Sequence, residues 1–146
     1  MFTLQAEASF DAAHFLAQHP GKCRNLHGHR WLVRAEVQAE QLQTDGAERS
    51  MLLDFATFKQ ALKQLAEYFD HKFIYEQGTL QTSTVAALQS EGFALIELPF
   101  RPTAEELARW FYQQLEQQNL RPSRVWVFET PENCASYFAN SEVENV

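Results

Sequence analysis

The sequence predicts an α+β fold in which a mostly antiparallel sheet carries its helices on one face. Three observations predict it. Two early segments alternate apolar and polar residues with a period of two, two later segments repeat apolar residues at helical spacing, and two short strand-like runs close the chain. The order is therefore two strands, helix, helix, two strands.

Residues 2–14 place Phe2, Leu4, Ala6, Ala8, Phe10, Ala12 and His14 on one face and Thr3, Gln5, Glu7, Ser9 and Asp11 on the other. That is a half-buried strand. Residues 29–37 repeat the pattern, with Trp31, Val33, Ala35 and Val37 in phase with His29 and Arg30, Arg34 and Glu36 opposite. Asp54 is a good N-cap for a helix whose stripe is Phe55, Phe58, Leu62, Leu65 and Phe69 and which ends at Asp70–His71. A short helix from about Ser83 to Glu91, closed by Gly92, and a short strand from Phe93 to Leu98 follow. The run PTAEELARWFYQQLEQQ opens with a capping box, Thr103 as N-cap and Glu106 reaching back, and buries Leu107, Trp110, Phe111 and Leu115 before Pro122 stops it. Arg124–Thr130 and Ala135–Ala139 read as the closing strands.

With 146 residues, 45% of them hydrophobic, and twelve Phe, four Tyr and three Trp, the chain can bury a core as one domain spanning 1–146 without disulfide staples. A formal charge of −7 argues against general binding to nucleic acid or anionic membrane, which both need a basic face. No apolar run is long enough to span a bilayer, and the first residues lack the basic-then-apolar pattern of a signal peptide. The expectation is a reduced, cytoplasmic protein, in which Cys23 and Cys134 do not pair and a thiol near histidines is a nucleophile, a base or a metal ligand.

The stretch CRNLHGHRW carries the chemistry. On a helix, residues two apart point away from each other; on a strand they share a side, about 7 Å apart at the backbone. The alternation after His29 says strand, so His27 and His29 converge, and His14 sits in phase on the buried face of the preceding strand. Gly28 leaves the other face bare, suited to close approach of a backbone or ligand. One histidine on an apolar face is ordinarily a hydrogen-bonded core residue. Three phased imidazoles with an open fourth position describe a catalytic zinc site, whereas structural zinc sites are closed by four protein ligands. Cys23 is either that fourth ligand or a thiol held off the metal with its thiolate favoured by positive surroundings. His19, in the loop HPGK, reads as solvated.

FDAAH, C-x-x-x-H-G-H, DHKFIYE, PTAEELA and VFET, in that order and over almost the whole chain, resemble the 6-pyruvoyltetrahydropterin synthase family, and within it the 6-carboxytetrahydropterin synthase (QueD) branch. The resemblance implies the tunnelling fold (T-fold): a four-stranded antiparallel sheet with two main helices on one face, oligomerising into a barrel as trimers and, stacked, homohexamers. It implies Zn2+ held by His14, His27 and His29, a catalytic Cys23, and an Asp70–His71 proton-transfer pair supplied by a neighbouring subunit. Glu129 would anchor the pterin ring, with Thr103 and Glu105 near the pocket. The implied substrate is a pterin triphosphate, with Lys22, Arg24, Lys72 and Arg101 as candidate phosphate cations, and neither nucleic acid nor membrane as partner. Two departures stand out: Glu106 occupies a position where the family commonly has Asn, and residues 77–101 are longer than in compact members. The implied reaction converts 7,8-dihydroneopterin triphosphate to 6-carboxytetrahydropterin, releasing acetaldehyde and triphosphate. The alternatives are elimination of triphosphate alone, as in a 6-pyruvoyl synthase, and a non-catalytic zinc- or pterin-binding module.

Overall fold

The computed structural model describes residues 1–139; residues 140–146, the end of the expected 1–146 unit, lie outside it. Two long strands set the frame. β1 (Phe2–His14) and β2 (His27–Ala39) pair antiparallel along their whole lengths, from Phe2 opposite Ala39 to His14 opposite His27. Alternation then sorts the side chains: Leu4, Ala6, Phe10 and Ala12 of β1 and Trp31, Val33, Ala35 and Val37 of β2 are all buried.

α1 (Phe55–Phe69) begins where the Asp54 carboxylate accepts the Thr57 N–H at 2.9 Å. Its Phe58, Leu62 and Phe69 are shut from solvent, while Phe55 in the first turn stays 65% exposed and so leaves the expected stripe. β3 (Lys72–Glu76), α2 (Thr82–Ser90) and β4 (Leu95–Leu98) come next. α3 (Ala104–Gln117) is capped by Thr103, whose hydroxyl accepts the Glu106 N–H at 3.3 Å. The reciprocal half of the expected capping box is missing. Glu106 pairs instead with Arg109 at 3.2 Å, and the Thr103 N–H donates to the Arg101 carbonyl. The helix ends five residues short of Pro122, which opens β5 (Pro122–Thr130); β6 (Asn133–Tyr137) pairs back on it.

The six strands form one sheet in the order β4-β3-β1-β2-β5-β6. Strands β1, β2, β5 and β6 are the expected antiparallel four. The other two pair in parallel, β3 on β1 only at Ala12 and Ala13 and β4 along β3, to which the α2 crossover returns the chain in the same direction. Helices α1 and α3 cover one face, where Phe10 stacks on Trp31 at 5.9 Å between ring centroids and meets Phe69 and Phe111 at 5.5 and 6.0 Å.

Candidate metal centre and ligand pocket

His14 and His27 face each other across the β1–β2 ladder, and His29 stands two residues along on the same side. Their ring centroids lie 4.6, 5.2 and 4.9 Å apart. Trp31 meets His14 and His29 edge-on at 5.0 and 5.4 Å and forms the apolar floor.

The outer ring nitrogens are already committed. His14 Nδ1 lies 2.8 Å from the Pro102 carbonyl and His27 Nδ1 lies 2.6 Å from the Asn25 carbonyl. A carbonyl only accepts, so each Nδ1 carries the proton and each Nε2 presents a lone pair. Those two Nε2 atoms are 3.1 Å apart, and the Nε2 of His29 is buried with no hydrogen-bond partner. Two lone pairs at that distance repel unless a cation stands between them. One ligand atom from each histidine lies within 4.8 Å of the others. Nitrogen ligands around a tetrahedral zinc are about 3.3 Å apart, so the donor set fits a divalent transition metal. Burial lowers the His14 pKa to about 4 and pulls His29 down as well, against the Glu129 carboxylate, which raises it. Both imidazoles are therefore in the neutral form that binds metal.

Glu129, near the end of β5, points at this cluster: its two oxygens are 3.5 Å from His29 Nε2 and 3.9 Å from His14 Nε2. Thr103 and Glu105 line the same pocket, a cavity of about 380 Å³. So do Arg101 and His19. His19 in the HPGK loop is half-buried at the pocket, where its Nδ1 accepts the Gly21 N–H at 2.9 Å, so it is less solvated than expected. No signal in the sequence marked that placement.

Cys23 is half-buried in a 3-10 turn, Lys22–Arg24, and its carbonyl accepts the Leu16 N–H at 2.9 Å. Neither Cys23 nor Cys134 is in a disulfide. The Cys23 sulfur does not join the three-histidine group, but the turn that carries it ends at Asn25, whose carbonyl orients His27. Lys22 and Arg24 are exposed; the Lys72 ammonium is taken up by the Tyr68 carbonyl at 2.6 Å.

Asp70 and His71 form a second cluster, joined by Asp11. Asp70 accepts the Asp11 backbone N–H at 2.8 Å with one oxygen and meets His71 Nδ1 at 2.8 Å with the other. The His71 N–H donates to the Asp11 carbonyl, and His71 adopts φ 57° to do so. The Asp11 N–H, ahead of His71 and Arg30, holds the Asp70 pKa down; Asp70 in turn raises that of His71. The His71 side chain is 78% exposed and lines a groove of about 610 Å³ with Gly28 and Phe93. A Cβ on Gly28 would meet only ordinary contacts at 3.6 Å, so no neighbouring backbone demands glycine there. Along β1 Asp11 is in antiphase with Ala12 and His14, and the groove beside His71 is also lined by His29.

Residues 3–140 match the family model described as 6-pyruvoyl tetrahydropterin synthase. A 6-carboxy-5,6,7,8-tetrahydropterin synthase from Haemophilus influenzae is 39% identical over 142 residues, covering 94% of this chain and 99% of the relative. One from Synechocystis is 33% identical, covering 95% of each. Among solved structures, an uncharacterized protein from Wolinella succinogenes superposes with a TM-score of 0.74 at 19% identity, over 94% of this chain and 97% of that one. A Plasmodium vivax 6-pyruvoyltetrahydropterin synthase gives 0.65 at 19% identity, over 95% and 98%. At that identity the superpositions speak for the shared T-fold.

Proposed function

The chain belongs to the 6-pyruvoyl tetrahydropterin synthase family, and on that premise we propose that it is a zinc-dependent 6-carboxytetrahydropterin synthase. Its substrates in this reading are 7,8-dihydroneopterin triphosphate and one water, and its products are 6-carboxytetrahydropterin, acetaldehyde and triphosphate. The observation that carries the proposal is the convergence of His14, His27 and His29, two of them with Nδ1 held by a carbonyl. A carbonyl that accepts from the outer ring N–H orients a metal-binding imidazole.

A zinc ion bound there would polarise the two hydroxyl-bearing carbons of the substrate side chain. The chain's own groups do the rest. Cys23 as thiolate takes the proton from the activated carbon. His71, fixed in one tautomer by Asp70, exchanges the compensating proton. Glu129 accepts the two parallel N–H donors of the pterin ring, with Thr103 and Glu105 flanking the ring pocket.

In this reading the His71 that serves a given Cys23 comes from a neighbouring copy, as the family resemblance implies. A homo-oligomer, most simply the barrel-forming trimer or its hexamer, follows. The geometry favours it: β3 occupies the outer edge of β1 only at Ala12 and Ala13, and β6 ends the sheet at the opposite edge. Open edges of that length invite pairing with another chain. Among the described residues no helix is long and apolar enough to cross a membrane. The cytoplasm, as a reducing compartment, suits a free catalytic thiol.

Incubating the zinc-loaded protein with dihydroneopterin triphosphate tests the reaction. Release of acetaldehyde with the 6-carboxy product is expected. A 6-pyruvoyl product without acetaldehyde would move the chain to the other branch, and no turnover by a zinc-loaded oligomer would leave a binding module.

A further inference from the structure

Arg101 has a place in the ligand pocket that the reaction above leaves unexplained. It is half-buried, its Nη2 donates to the Ala17 carbonyl at 2.7 Å, and its Nε is shut from solvent with no partner. No carboxylate of the described residues lies within 4.0 Å of it, although Glu129 and Glu105 share its pocket. A guanidinium has five N–H donors, and burying one of them without an acceptor is costly. The segment is also rigidly placed, because the next residue, Pro102, holds His14 through its carbonyl.

The pocket's charge says what Arg101 meets. Two carboxylates and one guanidinium make a poor seat for a triphosphate, whose several negative charges need a surplus of cations. They suit a neutral heterocycle instead. The recognition edge of a pterin carries, side by side, an amino group, a ring N–H and a carbonyl oxygen: two donors and then an acceptor. A carboxylate and a guanidinium held apart in one pocket match that order, the carboxylate taking the donors and the guanidinium the oxygen.

We infer that Arg101 is a specificity-determining residue that donates to the ring carbonyl oxygen of the pterin beside Glu129, and not one of the cations that hold the triphosphate. The inference rests on the proposed function for the identity of the ring, and it removes Arg101 from the four candidate phosphate cations. A site built to hydrogen-bond one edge of a ligand discriminates through the groups left unpaired when that edge is changed.

The test uses the zinc-loaded oligomer with two probes, the fluorescent ring compound neopterin and inorganic triphosphate. Arg101→Met should weaken neopterin binding about ten- to a hundredfold, the range of a hydrogen bond to a charged donor, while inhibition by triphosphate and zinc content stay as in the wild type. KM for dihydroneopterin triphosphate should rise by the same factor with kcat within about twofold, since a binding contact is lost equally from ground and transition states. Arg101→Lys, which cannot hold Ala17 and the ring together, should lose about tenfold and serves if the Met variant does not fold. Unchanged neopterin affinity in either variant, or loss of triphosphate inhibition with neopterin retained, overturns the inference. If the wild type binds neopterin through Arg101 yet turns over no dihydroneopterin triphosphate, the inference stands and the proposed reaction falls. If it binds no pterin, both fall.

Discussion

Without bound metal, lowering the pH should destabilise this protein in a window set by one histidine. His14 is 1% exposed, and burial brings its pKa from the ordinary 6.5 to about 4. In the unfolded chain it takes up a proton near 6.5; in the folded protein it resists doing so. Between those values the unfolded chain binds more protons, so acidification favours unfolding. The stabilising contribution is complete above pH 6.5 and is lost as the pH falls towards 4. At about 1.4 kcal/mol per pKa unit the whole loss is roughly 3 kcal/mol, of which about 2 kcal/mol is gone at pH 5. His29, also lowered, acts in the same direction. His71 is raised by Asp70 and acts oppositely, contributing below its ordinary pKa and losing that contribution as pH rises, but it is exposed and solvent screens it. Asp70, lowered from 3.8, loses its contribution only below this window. The assay is urea unfolding of chelator-treated protein at pH 7.5 and pH 5 in equal ionic strength, followed by tryptophan fluorescence. A lower midpoint at pH 5 with an unchanged slope is expected, and His14→Leu should flatten the difference. Zinc should restore stability most strongly at pH 7.5, because metal and proton compete for the same lone pairs. Equal stability of the metal-free wild type at both pH values, or greater stability at pH 5, would refute the assignment of His14 as a neutral, burial-depressed imidazole.

Alanine at His14, His27 or His29 should each strip most of the zinc, whereas Cys23→Ala should keep it; elemental analysis of the purified variants decides, and zinc lost from the Cys23 variant would make that sulfur a ligand. Mixing Cys23→Ala with His71→Ala subunits should recover part of the activity, because some interfaces then combine an intact Cys23 with an intact His71. No recovery despite demonstrated subunit exchange would count against a shared site. Phe10→Ala removes a ring 1% exposed between Trp31, Phe69 and Phe111 and should cost about 3–5 kcal/mol in denaturant unfolding without changing zinc content.

Much of the three-histidine cluster was legible in the sequence, because strand alternation is a local rule. Once His27 and His29 sit two apart on a strand and His14 is in phase on its neighbour, a hairpin that matches their apolar faces brings them together. The full register of β1 and β2 follows from that match, since a slip by one residue would turn every apolar side chain to the wrong face. The helix that starts at Asp54 was equally legible, since its cap and stripe lie within a few turns of each other.

Other features depended on partners far along the chain. Lys72–Glu76 carries no turn signal or alternation long enough to mark a strand, and it becomes β3 because Ala12–Ala13 and β4 offer it backbone partners. Asp11 looks like one more polar residue of β1, yet its amide holds Asp70, 59 residues away. Glu106 had the spacing of a capping box, but Arg109 one turn on offered a charged partner and took it. Arg101 and His19 reach the Glu129 pocket through loops, which carry no period from which a direction can be read. Periodicity determines which face a side chain occupies. What stands opposite that face is decided only when the sheet closes, because backbone and charge pair with whatever the fold brings within reach.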